Sequence, residues 1–224
     1  KETNPVNKWM NGIPSYSAWW VINLCDYCRL TGNYEFFIRN KSYALAIISH
    51  INSCIDKLGN INFNSNNTME FFLDWSTRDT EDAIVGVKAL LCIMAKKYLS
   101  VEKNEDCFCI LEKLNSALCS KANMKPALSF QILAGKEINA DDRRTLENGG
   151  ARGFSTFMAY YILKALASSG SNNMINIIKE FYGGMLLKGA TAFWEDFDID
   201  HFEMEALGPK FEADPLFPER VNTE

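Results

Sequence analysis

Apolar positions recur at three- and four-residue spacing along most of the chain, and no stretch alternates as a half-buried strand would. Residues 1–13 are polar with Gly and Pro and read as a loop, with Trp9 and Met10 as anchors. Pro14 suits the first turn of a helix. Tyr16, Trp19, Trp20, Ile22, Leu24 and Tyr27 then mark a helix over 14–30, which stops at Gly32, a good left-handed cap. A second helix starts near Tyr34 and carries Phe37, Leu45, Ile48, Ile51 and Ile55 as far as Leu58-Gly59. The short link between the two predicts an antiparallel pair.

Residues 59–78 break the pattern. Asn60, Asn62, Asn64, Asn66 and Asn67 are interleaved with Phe63, Phe71, Phe72 and Trp75. A loop of that length in a compact helical domain is usually functional. Thr80-Glu81-Asp82 supplies a cap and first-turn acids for a third helix, striped by Ile84, Val87, Leu90, Leu91, Met94 and Tyr98. A fourth helix is expected over 102–121, with Phe108, Leu111, Leu114 and Leu118 inward. Pro126 opens a short fifth that ends at Gly135, and Asn139-Ala140-Asp141-Asp142 caps a polar sixth. A seventh, over 155–168, carries Phe157, Tyr160, Tyr161, Leu163 and Leu166. An eighth, over 172–187, carries Ile175, Ile178, Phe181, Tyr182 and Leu186. The sum is an all-α chain of helical hairpins stacked side by side, as in a solenoid or a closed toroid.

Composition narrows the function. Hydrophobic residues make up 47% and charged residues 23% of the 224, enough apolar material for a sizeable core. The net charge of −5 and the shortness of Lys96-Lys97 and Arg143-Arg144 argue against a nucleic-acid partner. No uninterrupted apolar run is long enough for a transmembrane helix, so no membrane partner is expected. Gly149-Gly150-Ala151-Arg152-Gly153 lacks the preceding strand and following Gly-Lys-Ser/Thr of a phosphate loop. The seven cysteines all fall among apolar neighbours and read as free, mostly buried thiols. Cys25 and Cys28 have metal or redox spacing, but there is no second such pair, and His50 and His201 lie far off in sequence. No metal or cofactor is expected.

The most chemical stretch runs from Gly189 to Asp200. It breaks the eighth helix and sets Glu195, Asp196, Asp198 and Asp200 among Phe193, Trp194 and Phe197. Rings beside carboxylates suit an uncharged polyol: the ring covers an apolar sugar face, and the carboxylate accepts hydroxyl protons or does acid–base chemistry. The acids fit no calcium-loop spacing.

Three blocks resemble the catalytic domain of bacterial α-L-rhamnosidases. They are Gly12-Ile13-Pro14-Ser15-Tyr16-Ser17-Ala18-Trp19-Trp20 with Thr31-Gly32-Asn33; Phe72-Leu73-Asp74-Trp75; and Phe181-Tyr182-Gly183-Gly184-Met185 through Gly189-Ala190-Thr191-Ala192-Phe193-Trp194-Glu195. The last is the most specific, and the resemblance extends over nearly the whole chain, so residues 1–224 are read as one domain. It implies an (α/α)6 barrel that hydrolyses terminal α-linked L-rhamnose with inversion. It also implies that Glu195 is the general base, with Trp75 and one of Trp19 or Trp20 as pocket walls. Trp19 and Trp20 cannot both face one pocket, because neighbouring helix positions diverge by about 100°. Asp74 would bind a sugar hydroxyl or orient its loop, and Trp194 would contact substrate beside Glu195.

The departures define the expected extent. The family's general acid lies in an Asp-x-x-x-x-x-Glu type segment upstream of the first block, and its pocket His lies in a downstream segment. Nothing in this chain matches either. Twelve helices are implied and eight are legible, so the barrel is expected to be incomplete. An inverting glycosidase needs two carboxyls roughly 6.5–9.5 Å apart. This chain is therefore expected to hold half of an active site and to be inactive alone. The alternative is a non-catalytic carbohydrate-binding toroid. A helical protein-interaction surface explains the periodicity but not the loop aromatics and acids. Exposed apolar faces of an open ring favour association, with a homodimer as the simplest case. The chain shows no signal peptide and begins with Lys1, which leaves a bacterial cytoplasmic or periplasmic location open.

Overall fold

The computed structural model describes residues 13–63, 70–77 and 80–195, together with Phe197 and Ile199. The expectations placed on Trp9, Met10, Gly12, Asn64, Asn66, Asn67, Asp196, Asp198, Asp200 and His201 fall outside these residues. Among the described residues the chain is all-α. Its helices are α1 (Pro14–Thr31), α2 (Tyr34–Ser53), α3 (Glu81–Leu99), α4 (Glu105–Leu114), α5 (Lys125–Leu133), α6 (Ala140–Glu147), α7 (Thr156–Ser168) and α8 (Met174–Leu187). A 3-10 turn at Trp75–Thr77 precedes α3, and a 3-10 segment at Asn115–Cys119 extends α4.

Local chemistry sets most of the boundaries. Gly32 ends α1 at φ 70°, a left-handed conformation that costs glycine nothing. Thr80 and Ser155 accept from the backbone N–H three residues on, at 3.3 and 3.1 Å, and open α3 and α7. Asn139 and Asp142 form a reciprocal capping box on α6.

The hairpins stack in two layers. α3 lies between α1 and α5, and α5 continues onto α7. The even helices back this row: α2 and α4 pack on each other and on α1 and α3, α6 on α5 and α7, and α8 on α7. The row of odd helices holds most of the core, and α5 is buried from Lys125 to Ile132. Small residues fill its contacts: Ala18, Cys25, Cys28, Ala89, Cys92, Ala95, Ala127, Ala159 and Ala165 are all fully buried. A methyl placed on Gly86 of α3 would sit 3.3 Å from Ala127 Cα of α5 and 2.3 Å from Leu73 Cδ2. Such spacing leaves no room for a larger side chain at that contact.

The small-residue contacts explain where the structure departs from the periodic reading. Phe108 is not inward: it is 52% exposed, while Cys107, Ile110 and Leu114 form the buried face of α4. Phe157 and Tyr160 are 50% and 59% exposed, with Met158, Ala159, Ile162, Ala165 and Leu166 buried in their place. Ile84, Ile175 and Leu186 are exposed as well. On α4 and α7 smaller or slimmer neighbours take the interface. α2 stops at Ser53 rather than Leu58 because Asp56 folds the chain back on itself. Asp56 Oδ1 accepts from Leu58 N at 2.8 Å and from Asn60 N at 2.9 Å, and Cys54 O accepts from Asn62 N at 2.9 Å. A carboxylate that satisfies nearby backbone N–H groups competes with the helix. α4 ends at Leu114, where the 3-10 segment begins.

The cysteines are free: Cys25, Cys28, Cys54, Cys92 and Cys107 are buried, Cys109 is half-buried and Cys119 exposed. Burial pushes the Cys25, Cys92 and Cys107 thiols up from 9.0 to about 12, 11 and 12. Because these values lie above the unfolded one, the stability they contribute is complete below pH 9 and is lost as pH rises toward 12. A disulfide-exchange reagent at pH 8 should modify Cys119 first and Cys109 more slowly, with the other five reacting only on unfolding; fast reaction of three or more in the native chain would contradict the packing. Gly86→Ala should cost up to about 2 kcal/mol by chemical denaturation, overpacking of roughly 1–3 kcal/mol less a helix-propensity gain of about 1. Leu73→Ala in the same chain should cost less than it does alone.

Candidate functional site

The N-terminal ends of the odd helices converge at one end of the row. Asp82, in the first turn of α3, accepts from Asn123 N and Met124 N at 2.8 and 2.6 Å, just before α5. Lys125, which begins α5, donates from Nζ to Gly150 O in the turn before α7. Helix N-termini carry partial positive charge and favour carboxylates beside them.

A cavity of about 220 Å³ opens at this end. α1 contributes Tyr16 and Trp19, the loop before α3 contributes Phe72, Leu73, Asp74 and Trp75, the start of α7 contributes Ser155 and Phe157, and the segment after α8 contributes Glu195. Aromatic rings wall two sides. Trp75 lies 5.0 Å from Phe72, which meets Tyr16 at 6.2 Å. Trp19 lies 5.6 Å from Phe157, 5.0 Å from Tyr161 and 5.7 Å from Phe130, so α1 reaches both α5 and α7 through one ring.

The two carboxylates differ in setting. Asp74 is 5% exposed; Ser76 Oγ donates to its Oδ2 at 2.8 Å, and its main-chain oxygen accepts from Thr77 N and Oγ1 at 3.1 and 3.0 Å. The 3-10 turn thus fixes Asp74 within the wall. Glu195 is exposed at the cavity.

Four of the residues singled out in the sequence, Trp19, Asp74, Trp75 and Glu195, therefore meet in one cavity from three separated segments. Trp20 does not line it; its ring packs edge-on against Tyr43 of α2 at 4.7 Å. Trp194 does not line it either; its ring lies 5.9 Å from Phe197, and its carbonyl accepts from Thr156 Oγ1. Tyr16, Phe72, Ser155 and Phe157 were not singled out for the site. The first two lie inside the motif blocks, Ser155 stands at a cap position, and Phe157 read as core.

The turn that delivers Ser155 is braced from below. Ala151 N donates to Glu180 Oε2 of α8 at 2.7 Å. Lys125 Nζ lies 5.4 Å over the Phe154 ring, beside its bond to Gly150 O. Burial lowers the Lys125 pKa from 10.5 to about 8, with Glu180 opposing the shift and Arg152 adding to it.

Comparison with known protein families, curated proteins and solved structures finds no match.

At Lys125 the folded chain releases its proton near pH 8 and the unfolded chain near 10.5, so the unfolded state holds more protons in that window and stability rises with pH. Lys125→Met removes this contribution. The stability difference, variant minus wild type, should fall by about 2 kcal/mol between pH 7 and pH 10 in urea titrations. A difference that does not change with pH would show that Lys125 does not titrate in the folded state in this range.

Proposed function

We propose that the chain is part of a glycoside hydrolase that removes terminal α-linked L-rhamnose with inversion, and that its layered hairpins form an arc of an (α/α)6 barrel. One observation carries the reading: the cavity draws Trp19, Trp75, Asp74 and Glu195 together from three separated segments. Its volume of about 220 Å³ is below the roughly 300–1,000 Å³ of pockets for drug-sized ligands and suits a single sugar ring. The rings of Trp75 and Trp19 offer apolar faces to C–H-rich sugar surfaces.

In this reading Glu195 is the general base. It takes a proton from a water that attacks the anomeric carbon, while a proton donor on a segment beyond this chain protonates the leaving oxygen. Asp74, buried and held by Ser76, accepts a sugar hydroxyl and fixes the ring. The incomplete set of carboxyls makes binding, not turnover, the activity expected of this chain alone.

In the full-length protein, Glu195→Gln should lower hydrolysis of an aryl α-L-rhamnoside by orders of magnitude while binding persists; unchanged turnover would remove Glu195 from the base role. The 224-residue chain should bind L-rhamnose without turnover, and Trp75→Ala should weaken that binding by about tenfold, measured by calorimetry or ligand-observed NMR. Turnover by the chain alone, abolished in Asp74→Asn, would reassign the proton donor to Asp74.

A further inference from the structure

The segment bearing Glu195 is held on both sides by contacts that the proposed chemistry does not itself use. Upstream, Thr156 Oγ1 in the first turn of α7 donates to the carbonyl of Trp194, the residue bonded to Glu195. Downstream, the Phe197 ring packs 5.6 Å from Phe181 and 5.9 Å from Trp194. Phe181 is fully buried and also meets Phe154 at 5.5 Å, so Phe197 joins an aromatic file that runs into the core. Ile199, 6% exposed, pins the chain beyond it.

Phe197 can lie there because α8 has no side chain at the contact. A methyl on Gly184 would stand 2.9 Å from Phe197 Cζ and 3.1 Å from Cε1. A methyl on the neighbouring Gly183 meets nothing within 4 Å. The paired glycines of the motif are therefore unequal: one receives a ring and the other faces open space. From these contacts we propose that Gly184 and Thr156 are positioning residues for Glu195. Gly184 seats Phe197, Thr156 fixes the Trp194 carbonyl, and together they hold the carboxylate at the cavity mouth. The catalytic part of this inference rests on the reading of Glu195 as the base; the mechanical part does not.

Four substitutions in the full chain test it: Gly184→Ala against Gly183→Ala, and Thr156→Val against Thr156→Ser. Both alanines favour the helix equally, and serine keeps the hydroxyl that valine removes. Amide hydrogen exchange of the peptide 190–197 should quicken at least about threefold in Gly184→Ala and Thr156→Val, and stay at the wild-type rate in the two controls. Equal behaviour of the two glycine variants would overturn the seat, and wild-type exchange in Thr156→Val would overturn the upstream hold.

In the full-length protein, the same two variants should lower kcat on an aryl α-L-rhamnoside by about tenfold to a hundredfold at unchanged KM. They should add nothing to Glu195→Gln, because residues acting through one group are not additive. Full additivity, or an effect confined to KM, would overturn the positioning role. If the full-length protein hydrolyses no glycoside, the glycosidase reading fails, and the exchange measurement alone decides the clamp.

Discussion

The structure depends on how closely the odd helices approach one another. Gly86 of α3 lies against Ala127 of α5, and alanines and cysteines continue the same contact along the row. Close-packed interiors tolerate neither extra methyl groups nor voids without cost. Small side chains line much of the row, with Tyr98 and Phe130 buried among them, and further rings collect where the row opens. Trp19, Trp75, Phe72 and Phe157 gather at the N-terminal end, and Phe108 and Tyr160 turn outward.

The polar bracing of that end follows from parallel helix starts. Each N-terminus brings backbone N–H groups without intrahelical partners. Asp82 accepts from Asn123 N and Met124 N at the entry to α5, and Glu180 accepts from Ala151 N in the turn that leads to α7. Lys125 stays buried at a cost that its lowered pKa records, offset by the Gly150 carbonyl and the Phe154 face. These side chains hold adjacent hairpins in register beneath the cavity.

Much of the fold was legible because punctuation residues act locally. Gly32, Thr80 and Asn139 mark boundaries through interactions within a few positions, which a sequence displays directly. The end of α2 was missed because Ile55 continues the helical spacing up to Asp56, whose competing turn takes Leu58 N and Asn60 N. The faces of α4 and α7 were misread because periodicity ranks Phe and Tyr above Cys and Ala. The neighbouring helix selects instead for size, and that neighbour lies far away in sequence. At the site, spacing said that Trp19 and Trp20 must diverge but not which would face the cavity. That choice depends on the contact of α1 with α2, where Tyr43 takes Trp20. The separate placement of Trp194 and Glu195 follows from the Thr156 and Phe197 contacts, which have no signature in spacing.

Leu73 stands next to Asp74 in the cavity wall and fills the notch above Gly86 in the core. One short loop therefore serves as cavity wall and as core filling. Substitutions that reshape the cavity through this loop are coupled to folding free energy, so they are reached most easily from a chain with stability to spare. Phe157, half exposed on a helix whose own core is Met158, Ala159 and Ile162, packs on Trp19 and Tyr161 but fills no notch in the core. The α7 part of the lining is thus the freer ground for evolutionary change, and two parts of one cavity should diversify at different rates.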